Sequence, residues 1–100
     1  MIARIWRGAV RGADADEYGD YIAETGLAEY ERTSGNRGAW MLSRRVGDRT
    51  EFVTFTLWES LDAIKAFAGE DYETAVYYPK DDRYLVERDD VCAHYDVRGG

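Results

Sequence analysis

Residues 39–58 read AWMLSRRVGDRTEFVTFTLW, and this stretch decides the fold. Two runs rich in β-branched and aromatic residues flank Gly47-Asp48, a dipeptide typical of a tight hairpin turn. If these two residues form the loop, the register of the two strands is fixed. The predicted pairs are then Val46 with Arg49, Arg44 with Glu51, Leu42 with Val53, and Trp40 with Phe55.

Side chains alternate along a strand, so the predicted hairpin has two faces. The first face carries Trp40, Leu42, Val53, Phe55 and Leu57. The second face carries Met41, Ser43, Phe52, Thr54, Thr56 and Trp58. We expect helices to cover the first face, and the second is too apolar for a solvated surface. A chain of 100 residues is too short to cover both, so the pattern predicts a homodimer in which a second copy covers the second face.

The segments on both sides of the hairpin supply the remaining elements. Residues 2–10 predict a first strand, and Asp14 has the position of an N-cap for a first helix. Ser60 likewise predicts the start of a second helix, and residues 91–97 predict a last strand. The order is β-α-β-β-α-β, which indicates a single α+β domain over residues 1–100. Such a domain is a ferredoxin-like sandwich, an antiparallel sheet with helices on one face.

A few positions add detail to this order. Gly26 is expected to end or bend the first helix. Residues 72–76 have helical spacing and predict one further turn, whereas Pro79 keeps the residues around it non-helical. Asp81 and Asp82 follow in a predicted loop. We interpret them as solvated carboxylates and not as half of a metal site.

Composition narrows the classes of function. The net charge of −7 disfavours nucleic acid as a partner, since a phosphate backbone repels it. No apolar run is long enough for a membrane helix, and the N-terminus lacks the apolar core of a signal peptide. The single cysteine, Cys92, has neither a disulfide partner nor the neighbours of a zinc site. We therefore expect a reduced cytoplasmic protein without a metal ion.

The run Thr56-Leu57-Trp58-Glu59-Ser60, with Ala63 and Phe67 after it, resembles the antibiotic biosynthesis monooxygenase family of dimeric α+β barrel proteins. The resemblance extends over residues 2–97. It implies two ferredoxin-like protomers packed sheet against sheet. Some members of that family oxygenate aromatic polyketides with no metal or flavin, and others degrade haem. The resemblance thus implies no cofactor for an oxygenase of this kind.

Three positions argue against haem degradation. The haem-degrading branch of the family has an Asn on the first strand, a Trp on the second helix and a His just beyond it. In this sequence the strand position falls at Trp6 or Arg7, the helix position at Phe67 and the last at Tyr77. All three groups are missing, so we do not expect this activity.

The candidate catalytic residues are His94, Tyr77 and Tyr78. His94 is the only histidine, and its ordinary pKa near 6.5 suits a general base. The alternative is a partly buried strand histidine with a local hydrogen bond. Tyr77 and Tyr78 follow the second helix, where a phenol either donates to a substrate oxygen or packs under a loop.

The candidate substrate-binding residues are Trp6, Asn36, Trp58 and Phe67. Trp58, Phe67 and Tyr77 are expected to wall a cavity between the sheet and the helices, with His94 near its edge. The alternative for the tryptophans is packing in the core or the dimer. Asn36 either binds a ligand at the cavity mouth or serves a left-handed turn.

These expectations lead to two hypotheses. In the first, the protein is a cofactor-independent monooxygenase of a phenolic or anthrone-like molecule, with His94 as base, a tyrosine as donor and Trp58 as stacking wall. This activity is implied by the family resemblance. In the second, the protein is a non-catalytic dimer of the same fold that binds a small aromatic ligand or has a structural role.

Overall fold

A computed structural model describes residues 1–99, whose five strands form one antiparallel sheet. The strands are β1 (Ile2–Arg11), β2 (Asn36–Val46), β3 (Arg49–Trp58), β4 (Leu85–Arg88) and β5 (Ala93–Asp96). The order across the sheet is β2-β3-β1-β4, and β5 pairs with the start of β1 beside β4. β4 and β5 together therefore occupy the place of a single last strand. β2 lies at the opposite, free edge of the sheet.

The helices lie in the two connections that a ferredoxin-like fold requires. They are α1 (Ala15–Ile22), α2 (Ala28–Arg32), α3 (Leu61–Ala68) and α4 (Asp81–Tyr84). A π-helical turn over Ala23–Leu27 joins α1 to α2, so Gly26 accompanies an irregularity and does not end the helix. The predicted α+β sandwich is confirmed. No helix among residues 1–99 has both the length and the apolarity to cross a bilayer.

The predicted helix caps have opposite outcomes. The hydroxyl oxygen of Ser60 accepts a hydrogen bond from the backbone N–H of Ala63 at 3.2 Å, so this N-cap is confirmed. Asp14 holds the predicted N-cap position of α1, but the expected side-chain cap is wrong, because its carboxylate accepts from Nε of Arg11 at 3.3 Å and from no helix N–H. A short 3₁₀ turn precedes α1 instead and leads the chain into the helix.

The hairpin register is confirmed at every predicted pair, from Val46 with Arg49 to Trp40 with Phe55. The assignment of the two faces, however, is wrong. Trp58 is completely buried under the helices, and Thr56 is only 2% exposed. Trp40 and Leu42 lie on the open face and are 49% and 54% exposed. The face left open in this chain is therefore the one that carries Trp40, Leu42, Val53, Phe55 and Leu57.

Hydrogen bonds explain how threonines come to lie on the inner face. The Thr56 hydroxyl donates to the backbone oxygen of Arg4 at 3.2 Å and accepts from the indole N–H of Trp58 at 2.9 Å. A buried hydroxyl with both partners carries little desolvation cost. Aromatic and threonine side chains thus form the core face, and the more uniformly apolar set remains outside.

The segment from residue 69 to residue 80 has no helix, so the turn predicted over 72–76 is wrong. Its backbone is held by other partners. The Arg4 guanidinium donates to the Tyr72 and Thr74 carbonyls, and the Cys92 N–H donates to the Glu73 carbonyl at 2.7 Å. These bonds fix the segment as an extended cover across one end of the sheet.

Candidate functional site

A cavity lies between the sheet, α1, α2 and the 69–80 segment. Its lining includes Arg4, Trp6, Tyr18, Tyr30, Tyr77, Tyr78, Asp81 and Cys92. Its volume of about 20 Å³ suffices for one water molecule. An aromatic ligand therefore requires that one wall moves. The 69–80 segment is the wall without regular secondary structure.

Asp81 contributes a buried carboxyl group to this cavity. It is the first residue of α4 and is only 2% exposed. Its Oδ1 accepts from the Tyr18 hydroxyl at 3.2 Å, and its Oδ2 accepts from the Tyr78 N–H at 2.6 Å. Burial raises the pKa of Asp81, and these two hydrogen bonds oppose the rise. None of the ion pairs among residues 1–99 includes Asp81; the Arg88 charge lowers its pKa from a distance but is bonded to Asp82 instead.

The interpretation of Asp81 as a solvated residue is thus wrong, whereas it holds for its neighbour. The Asp82 side chain is 81% exposed and accepts from Arg88 at 2.6 Å. The two residues differ because α4 turns one carboxylate inward and the other outward. Sequence reasoning missed α4 because a four-residue helix has no periodicity to detect.

Arg4 is the second charged group of the cavity, and sequence reasoning missed it too. It is 4% exposed, and its Nη1 donates to the Tyr72 carbonyl at 2.9 Å. Period-2 alternation along β1 offers a signal that could have found it. Arg4 lies on the same face as Trp6 and Val10, so an arginine interrupts a core-facing series.

Trp6, Tyr77 and Tyr78 line the cavity. The Trp6 indole N–H lies 3.1 Å from the Asp89 carbonyl and 3.2 Å from the Tyr77 hydroxyl. The Tyr77 hydroxyl donates to the same Asp89 carbonyl, and the Tyr78 hydroxyl donates to Glu29 at 2.6 Å. Burial raises the pKa of both phenols, so both stay neutral. A ligand must break one of these bonds before either phenol donates to it.

Trp58 and Phe67 lie outside the cavity lining. The Trp58 ring lies 5.6 Å from the Phe67 ring, and Tyr30 packs edge-on against both. Aromatic side chains in this arrangement form core packing. The cavity predicted between Trp58, Phe67 and Tyr77 is therefore displaced toward Trp6 and Tyr78.

His94 also lies outside the cavity lining. It stands on β5 opposite Arg4 and packs against the Tyr72 ring at 5.2 Å. Its Nε2 is buried and has no hydrogen-bond partner among residues 1–99. Burial lowers the pKa of His94, and the Arg4 charge lowers it further. The imidazole is therefore neutral near pH 7 and has an unused nitrogen.

Asn36 serves its own loop. Its side-chain oxygen accepts from the Gly38 N–H at 3.1 Å, at an irregularity in the β2–β3 register. The left-handed conformation that we expected at Asn36 belongs to Gly35, whose φ is 90°. Asn36 is not among the residues that line the cavity.

The cavity thus combines an unpaired carboxyl group, an unpaired guanidinium group and several neutral phenols. Such a set can accept a proton from a bound ligand and stabilise the anion that remains. No group of three or more His, Cys, Asp or Glu side chains that could hold a metal ion occurs within residues 1–99.

Several solved structures share this fold. A Bacillus cereus protein assigned to the antibiotic biosynthesis monooxygenases superposes with a TM-score of 0.70 and 21% identity, over 100% of this chain and 94% of that one. SnoaB, a cofactor-independent oxygenase from Streptomyces nogalater, gives 0.68 and 18%, over 99% and 94%. MhuD, the haem-degrading protein of Mycobacterium tuberculosis with two haems in its active site, gives 0.64 and 20%, over 97% and 95%.

The identities are low enough that these likenesses establish the fold alone. The resemblance read from Thr56-Leu57-Trp58-Glu59-Ser60 is confirmed at that level, because structures of antibiotic biosynthesis monooxygenases share this architecture over nearly the whole chain. The sequence matches no family model, and no curated protein matches it significantly.

Proposed function

We propose that this protein is a cofactor-independent monooxygenase of a phenolic or anthrone-like small molecule. The observation that carries the proposal is the buried, unpaired carboxyl group of Asp81 at the wall of a cavity rich in phenols. A general base must reach its substrate away from bulk water, and burial gives Asp81 a higher affinity for a proton than an exposed carboxylate has. The shared fold with a cofactor-independent oxygenase supports the same class of reaction.

The proposed reaction needs only the substrate, oxygen and a base. Asp81 takes a proton from the activated CH₂ group of an anthrone, and the carbanion transfers its electrons to O₂. A C–O bond forms, and the resulting peroxide loses water to leave a ketone. The balance is CH₂ + O₂ → C=O + H₂O, so no external reductant is consumed. The protein supplies the base, a dry cavity and donors for the developing oxyanion.

Binding requires that the 69–80 segment opens. Among the contacts that must yield are the bonds from the Tyr77 hydroxyl to the Asp89 carbonyl and from the Tyr78 hydroxyl to Glu29. Breaking them frees both phenols to donate to the ligand. The movement that opens the site therefore also frees the Tyr77 and Tyr78 hydroxyls to donate hydrogen bonds.

Oxygen uptake with 1,8-dihydroxyanthrone tests this proposal. We expect the protein to increase the rate above a protein-free control, with the corresponding anthraquinone as product and no effect of a chelator. A rate equal to the control would contradict the monooxygenase proposal. Anaerobic incubation should leave the anthrone unchanged.

A specific observation favours a second candidate, a non-catalytic binding protein of the same fold. The cavity holds about one water, and the protons of Tyr18, Tyr77 and Tyr78 are all engaged with protein acceptors. A protein that only shelters a ligand needs no free donor and no base. This candidate predicts saturable binding of the anthrone with no excess oxygen uptake.

Haem degradation is not part of the proposal, although one structure of this fold comes from a haem-degrading protein. The Phe67 ring lies 5.8 Å from the Arg4 guanidinium and packs on Trp58, and Phe67 does not line the cavity. The Tyr77 hydroxyl is tied to the Asp89 carbonyl. Neither Phe67 nor Tyr77 is therefore placed to replace the Trp or the His of the haem-degrading proteins.

We also propose that two copies pack through the open sheet face. Trp40 and Leu42 are about half exposed there, and together with Phe55 and Leu57 they form a wholly apolar groove. A patch of this kind on a sheet is a typical interface. A second copy is the occupant that presents the same face, so a two-fold axis buries both grooves at once.

Leu42→Asp should convert the proposed dimer to a monomer. Burying a leucine contributes about 1.5–3 kcal/mol, and a two-fold axis loses it twice, which corresponds to at least about a 100-fold weaker dimer. Sedimentation of the unmodified chain should give twice the 11.4 kDa mass, and the variant should give one. Ala66→Asp is the matched control, because Ala66 is exposed on α3, on the opposite side of the sheet. An unmodified chain that sediments as a monomer at micromolar concentration would exclude the dimer.

The expectations about the cellular compartment and about nucleic acid as a partner stay predictions. Cys92 is buried and free, which suits a reducing compartment such as the cytoplasm. The net charge of −7 still disfavours nucleic acid as a partner. Neither expectation bears on the reaction itself.

A further inference from the structure

Arg4 is a buried cation whose partners in the protein are all neutral. Its Nη1 and Nη2 donate to the Tyr72 and Thr74 carbonyls at 2.9 and 3.4 Å, and its guanidinium lies 5.8 Å from the Phe67 ring centre. None of the ion pairs among residues 1–99 includes Arg4. With 4% exposure, its charge has neither a carboxylate nor bulk water beside it.

Such an arrangement is costly unless something else completes it. A buried charge is ordinarily paired, because removing an unpaired charge from water is strongly unfavourable. A guanidinium has five N–H donors, and two carbonyls use only part of them. Within residues 1–99 Arg4 forms no ion pair with a carboxylate, whereas six other arginines do: Arg7, Arg11, Arg37, Arg44, Arg49 and Arg88.

The position of Arg4 at the cavity wall indicates that a ligand group is the acceptor that its guanidinium lacks. Arg4 lines the cavity, as does Asp81, yet the two form no ion pair. Once the 69–80 segment moves, a ligand group can therefore lie between this cation and this carboxyl group. That group must be an acceptor on the Arg4 side, and an anionic oxygen satisfies the guanidinium best.

We propose that Arg4 binds an anionic oxygen of the aromatic ligand, so that the protein selects ligands that carry a carboxylate or form a phenolate. This inference rests on the proposed function and specifies its substrate class. In the reaction above, the same guanidinium holds the oxyanion that forms when Asp81 removes a proton. Arg4 is then the group that makes proton removal favourable in a protein of net negative charge.

Binding of benzoate and benzamide, two ligands of nearly equal shape, tests the charge directly by calorimetry at pH 7.5. We expect the unmodified protein to bind benzoate at least about 10-fold more tightly than benzamide, as charge-assisted hydrogen bonds do. Arg4→Gln should abolish the difference, Arg4→Lys should retain part of it, and Arg98→Gln, an exposed control with the same charge change, should retain all of it. A second probe, 4-nitrophenol, tests whether the site favours a ligand that ionises on binding. The fraction of its yellow phenolate form should increase when it binds to the unmodified protein and should not increase with Arg4→Gln.

Equal affinity for benzoate and benzamide, or a benzoate preference that persists in Arg4→Gln, would overturn the inference. Equal affinity in the unmodified protein is decisive even if the variants do not fold. Anthrone turnover without any preference for benzoate would leave the proposed function standing and reject the role of Arg4. Absence of both turnover and binding would reject the two together.

Discussion

Replacing Asp81 with Asn should lower anthrone-dependent oxygen uptake at least about 100-fold, because a positioned general base contributes about 10²- to 10⁴-fold to a rate. Asparagine has nearly the same shape, and its side-chain oxygen still accepts one of the two hydrogen bonds that Asp81 receives from Tyr18 and Tyr78. It cannot accept a proton from the substrate. Steady-state oxygen consumption measures the effect, and circular dichroism shows that the variant is folded.

Two comparisons make this result specific. Asp82→Asn makes the same chemical change on a side chain that is 81% exposed, and its turnover should stay within a factor of about two of the unmodified protein. His94→Ala removes the rival base. If His94→Ala loses activity and Asp81→Asn keeps it, the base is the histidine and the role given to Asp81 is wrong.

The pH dependence of turnover should follow the ionisation of Asp81. Turnover requires the ionised form of Asp81, and burial raises the pKa of that carboxyl, so the rate should rise with pH above the ordinary aspartate range. Ionised Asp81 also destabilises the fold, because the unfolded chain releases this proton at a lower pH. That penalty is absent below the unfolded pKa and grows as the pH rises to the folded pKa.

Trp58→Ala should lower the free energy of unfolding by about 3–5 kcal/mol, the usual cost of removing a large aromatic side chain from a core. Trp58 is completely buried and packs on Phe67, and its N–H is bonded to Thr56. A domain of this size is stable by about 5–15 kcal/mol, so the loss is a large part of the total. Urea denaturation followed by circular dichroism measures it.

The conservative variant Trp58→Phe separates volume from the hydrogen bond. Phenylalanine keeps most of the ring, so Trp58→Phe should lower the free energy of unfolding by only about 1–3 kcal/mol. If Trp58→Ala instead leaves stability nearly unchanged and abolishes ligand binding, Trp58 is the stacking wall that the sequence suggested. The core role seen in the structure would then be incomplete.

The predictable part of the fold is the part that local chemistry controls. The Gly47-Asp48 turn and the Ser60 cap act on their immediate neighbours, so both could be found from the sequence. The choice of inner face depends on partners far along the chain. Thr56 is buried because the carbonyl of Arg4 accepts its hydroxyl proton across the sheet, and polarity alone gave the wrong face.

The candidate site was predictable only in part for the same reason. Tyr77 and Tyr78 line the cavity as expected from their place after α3. Asp81 and Arg4 were not predicted, because Asp and Arg side chains are usually exposed to solvent or, when buried, paired with an opposite charge. Their burial follows from the path of the 69–80 segment, and that path is set by hydrogen bonds to residues on β1 and before β5.

The interruption between β4 and β5 limits how the sheet can grow. Each of these strands has only four residues, so the edge they form is too short and broken to template another chain. The opposite edge is the unbroken eleven-residue β2. If a polymer of this protein began by strand addition, two molecules would join through β2 and present only broken edges outward. Growth by strand addition alone would therefore stop at a pair of sheets.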